Sequence, residues 1–217
     1  MRTIQAGVEL ITPISNDLLR LIELAGRTCY KSEDRITDDS AEGFVSRMVA
    51  SNHGAMLEHA HVTVKVTCDR GVTHEIVRHR LASYAQESTR YCNYSKDKFG
   101  AQITFIDPSM GFVIEGKDYT KEQMEAILRE WEDACKDAER HYMRMLELGC
   151  SPQMARSVLN NSTKTEIVIT MNLREWRHFL SLRTPATAHP QMREIARIIL
   201  RMFKERLPVL VSDIELT

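Results

Sequence analysis

The sequence has no glycine-rich phosphate loop. Neither G-x-G-x-x-G nor G-x-x-x-x-G-K-S/T occurs in its 217 residues. That excludes the sites in which backbone N–H groups of a glycine turn cradle phosphates; a dinucleotide bound here must be held by arginines and amides. Paired cysteines are missing too. The five cysteines (Cys29, Cys68, Cys92, Cys135, Cys150) are odd in number and form no C-x-x-C. They read as reduced thiols of a cytosolic protein, not as a disulfide frame or zinc knuckle. No apolar run approaches the ~20 residues of a membrane span, and MRTIQAGVEL lacks the apolar core of a secretory signal. The expectation is a cytoplasmic protein. Nor is there an excess of one charge: the net value of −1 argues against a dedicated nucleic-acid binder. What is present, 43% hydrophobic and 27% charged residues, suits one domain over residues 1–217 with a substantial core.

Periodicity places the elements. Residues 1–13 suggest a short strand ending at Pro13. Ser15, Asn16 or Asp17 can cap a helix through about Cys29, with Leu18, Leu21, Ile22 and Ala25 on one face. A second helix starts at 37–39 and runs to about Ser51. Val62, Val64 and Val66 alternate with Thr63, Lys65 and Thr67, a strand that Gly71 closes. Residues 72–81 read as a helix, 83–91 as a polar loop, 103–106 as a strand and 109–119 as a loop or hairpin. Thr120 then caps a long helix that Gly149 stops. Ser151-Pro152 opens a short helix carrying Arg156. A strand over 166–171 and a helix over 173–182 follow, then the break TPATAHP. In the last helix, 191–206, Met192, Ile195, Ala196, Ile199, Met202 and Phe203 form a core stripe. Strands and helices without βα alternation predict an α+β fold around a mostly antiparallel sheet.

The chemistry concentrates in RHRLASYAQESTRY, residues 78–91. So many donors in one loop suit an anionic or carbonyl-rich ligand. A second group, Asn172, Arg174, His178 and Arg183, follows in chain order; Arg174 and His178, four apart, share a helix face. A zinc-protease reading of His74-Glu75 with His79 fails on geometry. Those histidines are five apart instead of four, which turns the second about a further 100° round the helix from the i, i+4 position. His53, His59 and His61 have no acidic or thiol partner at ligand spacing, so no metal site is expected.

Arg78-His79-Arg80, seven residues, Ser88 and then Arg90 resembles the signature of flavin-dependent thymidylate synthases. The similarity extends to His53 with Glu58-His59, to Ala155-Arg156, and to Asn172, Arg174, His178, Phe179, Leu180, Leu182 and Arg183. The resemblance implies that Arg78, His79, Arg80, Gln86, Asn172, Arg174 and His178 contact FAD. It implies that Glu75, Arg78, Gln86, Glu87, Ser88, Thr89, Arg90, Arg156 and Arg183 hold dUMP. It further implies a homotetramer with its sites where subunits meet, NADPH and 5,10-methylenetetrahydrofolate as co-substrates, and dTMP and tetrahydrofolate as products. No cysteine nucleophile is used in that family; an arginine stabilises charge on the uracil, and Arg183 takes that role here.

The sequence departs from the commoner pattern. Glu75 stands for Gln, Ala85-Gln86 for Asn-Glu and Thr89 for Gly or Ala, while TPATAHPQ is about two residues longer. Position 55 offers a flavin only an alanine. These changes leave UMP methylation, hydroxymethyl transfer or an inactive binding protein as alternatives. The exchange of acid and amide between 75 and 86 suggests that those positions approach each other or share a ligand.

Overall fold

The computed structural model describes residues 1–216, and Thr217 lies outside the described residues. Its fold is α+β, as the patterning predicts. Strands β2 (Gly7–Leu10), β3 (His61–Asp69), β4 (Ala82–Gln86) and β6 (Lys164–Asn172) form an antiparallel sheet in the order β2-β3-β6-β4. β3 and β6 pair along their full length, from His61 opposite Asn172 to Asp69 opposite Lys164. Alternation then sends Val62, Val64, Val66, Ile167, Ile169 and Met171 to one face, where all are buried. The start of the chain is not one strand. β1 (Arg2–Ile4) leaves to pair in parallel with β5 (Thr104–Ile106) in a separate ribbon, because Ile103 and Phe105 have a second core to fill with Tyr94, Cys135 and Tyr142.

Helices cover the apolar face of the sheet. α1 (Asn16–Tyr30) is capped by Ser15, whose hydroxyl accepts from the Asp17 N–H. Its buried stripe is Leu19, Ile22, Glu23 and Gly26, one position round from the expected face, and Leu21 is exposed. Glu23 stays in that stripe because Arg27 and Ser40 hydrogen-bond to it. α2 (Ser40–Ala50) packs on α1. α3 (Arg70–Ile76) begins two residues earlier than periodicity suggests, since Asp69 caps it by accepting from the Val72 N–H at 2.7 Å. The segment expected to be a loop or hairpin contains the helix α4 (Ser109–Glu115). Asp107 draws in the Ser109 N–H, and Gly111 lets the helix approach Gln191 so closely that a Cβ would sit 2.8 Å from its Cγ.

α5 (Lys121–Glu147) carries the full capping box of Thr120 and Gln123 and ends at Gly149, whose φ of +89° suits glycine. α6 (Pro152–Ala155), α7 (Leu173–Arg183), α8 (Pro190–Arg206) and α9 (Pro208–Val211) complete the chain. In α8 the expected stripe is buried, with Met202 half-buried at its edge. α7 lies against the sheet through Trp176, whose indole N–H donates to the Val62 carbonyl at 2.9 Å. This contact fixes the helix that carries half of the candidate site.

Candidate functional site

The signature does not remain a loop. Residues 82–86 form β4, the edge strand of the sheet, paired with β6 from Ala82–Met171 to Gln86–Ile167. The alternation is Ala82, Tyr84 and Gln86 toward the helices and Ser83 and Ala85 outward. Its polar side chains hide the strand from a hydrophobicity pattern, because the backbone ladder and Tyr84 supply the order. The Tyr84 hydroxyl donates to the carbonyls of Ile76 (2.9 Å) and His79 (2.6 Å). Burial pushes this phenol up to about 12, so it remains a donor at neutral pH. It ties the end of α3 to β4. α3 therefore stops at Ile76, and Arg78-His79-Arg80 forms a turn, not the end of a longer helix.

That turn sends its side chains in different directions. Arg78 and Arg80 are exposed, whereas His79 is buried at 4% exposure. His79 Nδ1 lies 3.2 Å from Glu175 Oε1, and Arg183 Nε donates to His79 Nε2 at 3.1 Å. Arg183 also donates through its two terminal nitrogens to Glu75 Oε2 (3.0 Å) and the Glu75 carbonyl (3.4 Å). His189, from the extended TPATAHPQ break, stands 3.8 Å from the other Glu75 oxygen. Five residues from two distant stretches, 75–79 and 175–189, thus meet in one chain of contacts. A guanidinium has five N–H groups and no acceptor. Three are engaged, which leaves one on each terminal nitrogen for a ligand.

Burial, and the Arg183 charge, lower the pKa of His79 against the opposing pull of Glu175, so the ring is neutral at pH 7. His79, Glu175 and His178 bring ligand-type atoms within 4.8 Å of one another. Both His79 nitrogens are already engaged, however, and a cation sits on the same ring, an arrangement that repels a metal ion.

The remaining residues divide between two places. Asn172 caps α7, its Oδ1 accepting from the Glu175 N–H at 2.8 Å. Arg174 and His178 point outward from α7 onto a cleft of ≈ 580 Å³ floored by Met48, Val49, Leu57 and Ile214. Arg174 pairs with Glu58, and it lies so close to Gly54 that a Cβ there would meet its Nε at 3.0 Å. An apolar floor with the carboxylate-paired Arg174 and Arg177 at the rim suits a ligand that is part flat ring and part polar. On another face, Arg156 donates to the Thr89 hydroxyl at 3.2 Å, beside Arg70 and His74 in a cleft of ≈ 470 Å³. Arg90 is exposed and lies over the Tyr91 ring, 5.4 Å from its centroid. Ser88 accepts from the Arg90 N–H. Glu87 is turned inward, held by Lys164 at 3.0 Å and by the Tyr94 hydroxyl at 3.1 Å.

Gln86 donates to Thr73 and Thr165, while Glu75 serves Arg183 and His189. Among the described residues these two positions have no partner in common. Sequence reasoning missed Glu175 and Tyr84. The signal for Glu175 was its place four residues before Phe179 on the inward face of α7.

Residues 10–209 match the profile of the family described as thymidylate synthase complementing protein, Thy1. The chain belongs to the Thy1 family. Its relatives include proteins named flavin-dependent thymidylate synthase. One from Corynebacterium aurimucosum is 32% identical over 207 residues, covering 91% of this chain and 80% of that protein. One from Geobacter sulfurreducens is 31% identical over 199 residues, covering 88% and 80%. A solved structure similar to this Thy1 chain is PolB from Streptomyces cacaoi, described as a UMP/dUMP methylase bound with 5-Br dUMP. It has a TM-score of 0.78 at 26% identity and covers 98% of this chain and 96% of that one. The matched span, residues 10–209, takes in α3, the turn that carries His79 and α7, which supply Glu75, His79, Glu175 and Arg183 to the cluster.

Proposed function

We propose that this chain catalyses FAD-dependent reductive methylation of dUMP to dTMP, with 5,10-methylenetetrahydrofolate as one-carbon donor and NADPH as reductant. The observation that carries the reading is Arg183. It is a permanent cation, with a side chain 21% exposed, clamped by Glu75 and His79 with two N–H groups to spare. Such a group can face the uracil and stabilise negative charge on N3 and its flanking carbonyls as C5 becomes nucleophilic. Arg156 with Thr89, helped by Arg90 and Ser88, is assigned the phosphate, for which forked guanidinium groups are well suited. Arg78, Arg80, Gln86, Asn172, Arg174 and His178 are assigned to FAD, with His79 offering its ring beside His178 while its Nε2 holds Arg183. The flavin, when bound, supplies the redox chemistry; the residues named here bind, orient and set the field. A cytoplasmic homotetramer is part of the same proposal. Leu81 at 72% and Tyr91 at 78% exposure lie in the 78–91 stretch, the kind of apolar surface that a neighbouring subunit covers.

A second reading, methylation of UMP, is favoured by the likeness to PolB, which is described as a UMP/dUMP methylase. Flavin loading with nucleotide competition tests the proposal. The protein should retain FAD, with flavin absorbance bands that NADPH bleaches, and dUMP should bind in preference to UMP. Protein that never takes up FAD would overturn the proposal, and preference for UMP would select the second reading.

The route needs no thiol. Cys92 is the cysteine nearest the signature, but burial and the neighbouring Glu87 raise its pKa, which keeps it protonated and a poor nucleophile. Cys92→Ala is expected to retain most dTMP synthesis. A loss beyond about 100-fold in a folded, flavin-loaded variant would match removal of a catalytic group and restore a cysteine mechanism.

A further inference from the structure

Glu175 is a carboxylate where α7 would ordinarily bury an apolar side chain. It is 6% exposed and sits beside Trp176, on the helix face that also carries Phe179. Among the described residues its side chain has one hydrogen-bonding partner, His79 Nδ1. A buried carboxylate with a single partner is a costly way to fill a core, so its chemistry needs a reason.

Donor and acceptor arithmetic supplies one. Arg183 Nε can only donate, so His79 Nε2 must present its lone pair. The ring proton is then on Nδ1, where it can only be donated to Glu175. An ionised carboxylate accepts and never donates, so Glu175 permits this tautomer alone. The opposite tautomer would point Nε2–H at the Arg183 Nε–H and expel the guanidinium from its seat. Glu75 holds the other end of Arg183 but places no demand on the ring. The groups facing His79 are Glu175, His178 and Arg183 from α7, Glu75 beyond Arg183, and the Tyr84 phenol on the His79 carbonyl. Of these, Arg183 requires the Nε2 lone pair and Glu175 alone accepts the Nδ1 proton.

We propose that Glu175 is a positioning residue that aims Arg183 by locking the tautomer of the His79 ring. The proposal rests on the reading of Arg183 as the group that faces the pyrimidine. It predicts a specific pattern for Glu175→Gln, which keeps the shape but lets the amide donate as well as accept. The kcat for dUMP methylation should fall about 10-fold or more, the scale seen when an orienting partner or tautomer is lost. The KM for dUMP and the affinity for FAD should stay within about twofold. The acid limb of the pH profile should move to lower pH, because removing the Glu175 charge removes what favours a protonated His79. In an Arg183→Ala background, Glu175→Gln should cost nothing further.

Full additivity of the two changes, an unmoved acid limb, or kcat and KM changing together would make Glu175 a packing residue only. Nitrogen-15 NMR of the wild-type protein without nucleotide gives a readout independent of activity and of the variant's folding. His79 should carry its proton on Nδ1, and a proton on Nε2 would overturn the proposal. Wild-type protein that methylates neither dUMP nor UMP would remove the reading of Arg183 on which the aim depends, whereas the NMR result stands or falls by itself.

Discussion

Arg183→Ala is expected to lower dTMP formation by about 100-fold or more, a typical cost of removing one preorganised charge-stabilising donor, or roughly 2.7 kcal/mol in the barrier. The size follows from how the side chain is held. Bonds from three guanidinium nitrogens to His79 and Glu75 fix it before substrate arrives, so little reorganisation is needed as charge develops on the ring. FAD binding and NADPH oxidation should be largely intact, because the residues assigned to FAD on α7 are Asn172, Arg174 and His178 and the first anchors its own helix turn. Arg183→Lys restores the charge but not the fork that reaches His79 and Glu75 together, so it should recover only part of the loss. Equal loss of NADPH oxidation and of dTMP formation would make Arg183 a structural or flavin-binding residue.

Trp176→Ala should have the largest effect on stability. The indole is fully buried and packs on Phe179 and Phe203 at ring distances of 5.5 and 5.9 Å. Its N–H satisfies the Val62 carbonyl in the central strand. Truncation removes the ring, leaves a cavity and orphans that carbonyl, a combination worth about 3–5 kcal/mol. For a chain of this size that corresponds to a fall in Tm of about 10 °C. Because α7 is seated on the sheet by this residue, affinity for FAD should fall with it. Trp176→Phe keeps most of the packing and should cost less than half as much. Thermal unfolding decides the matter: a Tm change under about 3 °C for the alanine variant would show that α7 is held elsewhere.

The sequence made α7 legible because its cap, its apolar face and its cations repeat at helical spacing. The same was true of β3, where valines alternate with polar residues, and of α5, whose capping box is local. The signature was recognisable as chemistry but not as structure. β4 exists through its ladder to β6, some eighty residues on, and through the Tyr84 hydroxyl, whose bonds to the Ile76 and His79 carbonyls leave no hydrophobic pattern. α4 was missed for a similar reason, since Gly111 counts against a helix until Gln191 is seen to need the space. In the site, Arg183 was named from its motif, but its clamp was not visible. Glu175 carries no motif that marks it, and Glu75 and His79 meet Arg183 only across more than a hundred residues. Titratable groups brought together by folding leave no local pattern in the chain.

The most direct test is product analysis with the flavin-loaded protein. It would be incubated with dUMP or UMP, 5,10-methylenetetrahydrofolate and NADPH, and the nucleotide and folate products identified by chromatography and mass spectrometry. The account predicts dTMP and tetrahydrofolate from dUMP, with no product once the flavin is removed. A failure to methylate either nucleotide, or undiminished product from flavin-free protein, would contradict it.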